Sequence, residues 1–144
     1  MKIVEASEIQ VIEFRLGRQF FALPITDVRE VRRYEAVTPM PEAPAFMAGL
    51  MCLRSHVLSV MDLGRRLGKP SAEQGDKTRI LVVRLQAAWM GLIVDEVAGV
   101  ITLSKKAFRS PPESSAESPN PKYVSAVLQV KDRLILLLNA AALS

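Results

Sequence analysis

At 144 residues the chain has room for one compact domain, or for two small halves that share a core. Folding at this size buries roughly 68–70% of the extended-chain surface, enough for a stable core without staples, and 49% hydrophobic with 24% charged residues excludes a wholly disordered chain. The net charge of +4 comes with arginines spread from Arg15 to Arg133, which fits a solvated basic surface better than the dense basic run of a nucleic-acid binder.

The opening MKIVEASEIQ carries two acidic residues and no long apolar stretch, so no secretory signal is expected. Residues 11–16 then alternate, with Val11, Glu13 and Arg15 on one face and Ile12, Phe14 and Leu16 on the other, the period of a half-buried strand. Gly17-Arg18 supplies turn chemistry and Gln19 to Leu23 returns, giving a hairpin. A helical cap is expected at Thr26 or Asp27, ahead of VREVRR, and Pro39, Pro41 and Pro44 forbid long regular structure before Phe46. VLSVM (57–61) lacks a polar face apart from Ser59, as a strand covered on both sides would. Asp62 before LGRRLG reads as an N-cap, one or two helical turns and a stop at Gly68.

Residues 80–85 and 89–94 repeat the hairpin pattern around Gln86, and Ser110 to Lys122, rich in Pro and Ser, is expected as a loop. LILLL (134–138) is a second doubly covered strand, and Asn139 before AAAL a second short capped turn. This last apolar stretch is far short of the roughly 20 residues that span a bilayer, and a cytosolic location is expected.

The chain also repeats itself. RLGRQFFALPITDVREV (15–31) aligns with RLQAAWMGLIVDEVAGV (84–100) at an offset of 69, pairing Arg15 with Arg84, Leu23 with Leu92, Phe20 with Trp89 and Val31 with Val100. LRSHVLSVMD (53–62) aligns with VKDRLILLLN (130–139) at an offset of 77, the difference falling in the 110–122 loop. Two similar β-modules follow, at about residues 10–70 and 79–140 of a single domain spanning 9–143.

Residues for chemistry are scarce. One His and one Cys cannot build a zinc site, and no EF-hand, P-loop or dinucleotide turn is present. Ser55, His56 and Asp62 raise a hydrolase reading, but neighbouring strand positions turn Ser55 and His56 apart, so they read as turn residues beside a binding surface. Cys52, in the apolar run GLMCL, is expected as a small buried side chain, and Asp95-Glu96 as solvent-facing or capping. A basic barrel that binds nucleic acid is the rival reading, with Trp89 and Tyr34 as its main stacking groups and Trp89 on an expected core strand.

Four stretches in this order, VIEFRLGRQFFALPITDVREVRRY, PAFMAGLMCLRSHVLSVMDLGRRLG, TRILVVRLQAAWMGLIVDEVAGVITL and YVSAVLQVKDRLILLLNAAAL, resemble the CheW-like chemotaxis coupling family from about residue 9 to 143. The second is the most specific, keeping Gly49, Leu50, Leu53, Arg54, Val57, Asp62 and Leu63 of the family pattern. The resemblance implies a mainly β fold of two similar five-stranded, SH3-like barrels packed side by side with short helices.

It further implies a non-catalytic adaptor without cofactor or metal, whose partners are the regulatory domain of the histidine kinase CheA and the cytoplasmic tip of a chemoreceptor. Neither nucleic acid nor direct membrane insertion is implied. Val28, Glu30, Gly49 and Arg54 carry over as partner contacts, and Ser55 and Val57, beside Arg54, join them as candidates. Barrels leave their rims, loops and the groove between modules for such binding. Three positions depart from the pattern: Cys52 replaces Asn, Ser55 replaces Gly and Ser59 replaces Pro. The family glycine implies either a turn with positive φ at Ser55, at about 1 kcal/mol for a serine, or a close approach of a partner's backbone.

Overall fold

The computed structural model describes residues 8–70, 74–109 and 122–143; the expected 110–122 loop, Lys122 apart, lies outside them. In chain order the strands are β1 (Glu8–Leu16), β2 (Gln19–Pro24), β3 (Val28–Arg33), β4 (Met47–Leu53), β5 (His56–Asp62), β6 (Arg79–Leu85), β7 (Ala88–Val94), β8 (Glu96–Ser104), β9 (Phe108–Arg109), β10 (Val124–Val130) and β11 (Arg133–Leu138). Among the described residues there is one α-helical turn, α1 (Leu63–Arg66), which starts at Asp62, whose Oδ1 accepts from the Arg65 amide at 3.3 Å, and Gly68 ends it at φ +81°. Ala140–Leu143 forms the matching 3-10 turn after Asn139.

The strands form two sheets, a five-stranded one in the order β3-β6-β7-β5-β4 and a six-stranded one in the order β8-β1-β2-β11-β10-β9. The sixth strand is the two-residue continuation of β8 past the 3-10 turn Lys105–Ala107. Each sheet curls on its own core, because buried side chains of its several strands meet. Met51, Leu53, Leu58, Val60, Ile80, Val82 and Ile93 fill the first barrel, and Val11, Ala22, Ala126, Leu128, Ile135 and Leu137 the second. Reciprocal bonds between Thr38 and Leu50 (2.9 and 2.8 Å) bring the chain beyond β3 back onto β4.

The sheets cut across the sequence halves 10–70 and 79–140. The β1-β2 hairpin joins the strands of the second half, and the β6-β7 hairpin joins β3, β4 and β5 of the first. The parallel pairs that make these joins keep the repeat in register. Leu136 opposite Phe21 and Leu137 opposite Ala22 match Ser59 opposite Met90 and Val60 opposite Gly91. The bulge between Met47 and Gly49 likewise recurs between Val124 and Ala126.

Between the barrels lies a third and larger core, with Ile12, Phe14, Leu16, Phe21, Leu23, Leu81, Val83, Leu85, Leu138 and Leu143 among its members. The seam itself is therefore filled, which leaves the rims and outer faces of the barrels exposed. Arg66 closes one end of it, with its guanidinium 4.6 Å from the Phe46 ring and 5.4 Å from that of Tyr123, and its Nε donating to the Leu143 carbonyl at 3.2 Å. Phe46 and Tyr123 are themselves repeat counterparts at the offset of 77, as are Arg66 and Leu143.

Four local expectations are corrected. VREVRR is not a capped helix: the helical turn is Ile25–Asp27, and residues 28–33 are β3, alternately half-buried and exposed against β6. Cys52 is exposed, because β4 turns Gly49, Met51 and Leu53 inward and Cys52 falls on the outer face. Val11 and Glu13 are buried, since β1 has the seam on one face and the second barrel's interior on the other. Val57 and Leu134, the first apolar residues of the doubly covered runs, are 68% and 58% exposed.

Candidate functional site

The candidate residues gather at the end of the first barrel where β4 turns into β5. The turn is Arg54-Ser55, with φ +48° and +76°, the mirror-image two-residue loop that suits the twist of a β-hairpin. Ser55 thus takes the positive φ that is one of the two implications of the family glycine, at about 1 kcal/mol of backbone strain. Across from the turn, a bulge in β3 separates Val28 from Glu30. The Arg54 guanidinium donates to Glu30 Oε1 at 2.8 Å, and Arg32 donates to Glu30 Oε2 at 3.2 Å.

Glu30 is held below the usual carboxylate value of 4.5, first by the hydrogen bond from Arg54, with partial burial opposing and Arg32 adding to the lowering. A carboxyl depressed in this way stabilises the fold above its ordinary value and loses that contribution as pH falls through its own lower value. The Arg54–Glu30 clasp is therefore intact throughout the neutral range and opens only below pH 4.5. A side-chain NMR titration should place the Glu30 midpoint below 4.5, and Arg54→Ala should raise it. An unchanged midpoint in that variant would assign the lowering to some other group.

Arg54, Glu30, Ser55 and Val57 are thus brought together. Val28 is not part of the outer face; it is half-buried against the seam core. Gly49 is buried too, and its backbone lies under Thr38: a Cβ there would stand 2.2 Å from the Thr38 carbonyl oxygen.

Two further side chains contribute to this end of the barrel, Arg29 and Trp89, the second marked in the sequence only as a stacking group on a core strand. Arg29 lies over the Trp89 ring, 5.0 Å from its centroid, and both line a shallow socket with Leu53, Arg54, His56 and Leu58. The repeat that aligns Trp89 with Phe20 was the signal available; nothing local marks Arg29.

The rival chemistries find little support. No hydrogen bond joins Ser55 to His56 among the described residues, and Asp62, at the far end of β5, is six strand positions from His56, roughly 20 Å. No cluster of three or more His, Cys, Asp or Glu suited to a metal occurs among the described residues. Tyr34 and Trp89 are half-buried against the first barrel's core, and Arg29 already lies over the Trp89 ring. Asp95 and Glu96 fasten the first hairpin: Asp95 Oδ2 accepts from the Gly17 amide at 2.6 Å, and Glu96 from Arg15 at 3.2 Å.

Comparison with known proteins agrees with this architecture. The family model described as the CheW-like domain matches residues 10–144. The chain is 32% identical over 143 residues to a probable chemotaxis protein CheW of Rhizobium etli, covering 99% of this chain and 92% of that one. It is 34% identical over 128 residues to the chemotaxis protein CheW of Rhizobium meliloti, covering 89% and 82%. The crystal structure of the scaffolding protein TtCheW from Thermoanaerobacter tengcongensis superposes with a TM-score of 0.86 at 28% identity, covering 94% of this chain and 91% of that one. With paired barrels, a repeat in register and matches along nearly its whole length, the chain belongs to the CheW-like domain family.

Proposed function

We propose that this chemotaxis scaffold couples the cytoplasmic tip of a chemoreceptor to the regulatory domain of a CheA-type histidine kinase, holding both and transforming neither. Its class, an adaptor of chemotaxis and not an enzyme, goes with the family. The observation that carries the finer reading is the exposed Arg54-Ser55 turn, clasped to Glu30, with Val57 uncovered beside it. A fixed guanidinium next to an apolar side chain can hold a carboxylate or carbonyl oxygens of a partner while burying apolar area. None of the described helices is long and apolar enough to cross a membrane. The cytoplasm is the compartment in which kinase and receptor tip would be met.

The test is calorimetric titration of the intact chain with the purified regulatory domain of the kinase. Arg54→Glu removes the clasp and sets two carboxylates against each other, and is expected to weaken binding by roughly tenfold or more. Its thermal unfolding should stay close to that of the parent, because the exposed ion pair adds little to stability. A folded Arg54→Glu chain that binds as the parent does would remove Arg54 from the surface. The nucleic-acid reading predicts instead a steep salt dependence of DNA or RNA affinity, and a flat titration at low salt ends it.

A further inference from the structure

The two barrels differ at the end where their repeat-related hairpins turn. In the second barrel Arg133 donates to both carboxylate oxygens of Glu13 and lies over the Phe20 ring, 4.9 Å from its centroid. The repeat counterparts of Arg133, Glu13 and Phe20 are His56, Val82 and Trp89. Val82 is buried and apolar, so no carboxylate stands where Glu13 does, and His56 is exposed at the rim. Where the second barrel has an ionic plug, the first has the socket walled by Leu53, Leu58 and Trp89.

Around this apolar floor the charge is one-sided. Arg29 and Arg54 stand at the rim, and Arg29 makes no hydrogen bond among the described residues beyond its stacking on Trp89. No carboxylate lines the socket among the described residues, and Glu30, which pairs with Arg54, is also engaged by Arg32. We propose that the socket receives a single apolar side chain from a partner protein, presented by a segment with carboxylates flanking it. The apolar group would rest on Trp89 between Leu53 and Leu58, and the carboxylates would take the outward N–H groups of Arg29 and Arg54. This occupant rests on the adaptor reading above and narrows it to a chemistry.

Trp89 is the sole tryptophan of the chain, so its emission reports on the socket alone. The intact chain would be titrated by calorimetry and by tryptophan emission with two probes, a tryptophan-free kinase regulatory domain and a tryptophan-free receptor-tip hairpin. The probe whose binding falls with Arg54→Glu is expected to shift Trp89 emission and to bind roughly tenfold more weakly to Arg29→Glu. Arg29 is exposed, and Arg29→Ala, expected to weaken binding less, guards against a folding defect in the charge reversal. Binding that depends on Arg54 but leaves the emission unmoved, or that Arg29→Glu does not weaken, would leave the adaptor reading standing and the socket empty. If neither probe binds the parent chain, the adaptor reading and the socket fall together.

Discussion

Gly49→Ala is expected to destabilise the protein by about 2–4 kcal/mol, through overpacking and backbone strain together. Two observations set that size. The residue sits at φ +151°, where side chains other than glycine's are strained, and a Cβ would meet the Thr38 carbonyl carbon at 2.7 Å and its oxygen closer still. Relief can come only by moving Thr38, and Thr38 makes the two bonds to Leu50 that bring the chain beyond β3 onto β4. The bulge does not itself demand glycine, for the same bulge in the second barrel carries Ala126, which is not at positive φ. The crossing of Thr38 makes the difference. Urea unfolding should show a lower midpoint with an unchanged slope, and partner binding should fall only with the folded fraction. A variant with the parent's midpoint and no binding would return Gly49 to the partner surface.

Gly49 illustrates how far the sequence could be read. The resemblance marks the position, but a role in contact with a partner and a role under a crossing strand leave the same glycine in the sequence. What depends on local periodicity was legible: both hairpins, the α1 cap at Asp62, and the repeat, whose offsets of 69 and 77 reappear in the strand register. What depends on contacts remote in sequence was not. Parallel pairing of β2 with β11 and of β5 with β7 leaves no local trace, so a repeat of two modules could not say that each barrel borrows a hairpin. Glu30 has arginines close by in sequence, yet its nearest contact is with Arg54, from a different hairpin. VREVRR misled because a charged edge strand with only two valines has the composition of an exposed helix start. Cys52 misled because an apolar run conceals which of its residues face outward.

The pair Glu13–Arg133 should respond unequally to the loss of either partner. Glu13 is 2% exposed, whereas the Arg133 side chain is 43% exposed and can turn to water. Arg133→Leu leaves a buried carboxylate with no guanidinium, and about 3 kcal/mol of stability should go, the lower end of what breaking a buried pair costs. Glu13→Val puts in the second barrel what Val82 already supplies in the first, and releases Arg133 to solvent; about 1 kcal/mol or less is expected, as for other exposed charges. Combining the two changes should restore most of the stability lost in Arg133→Leu, because no unpaired charge is then buried. Unfolding curves of the parent, both single variants and the double variant test this cycle. Equal losses from the two single changes would mean that the asymmetric burial of the pair does not govern its energetics. If the double variant were as unstable as Arg133→Leu, the packing of the arginine on Phe20, and not its charge, would be what closes the second barrel.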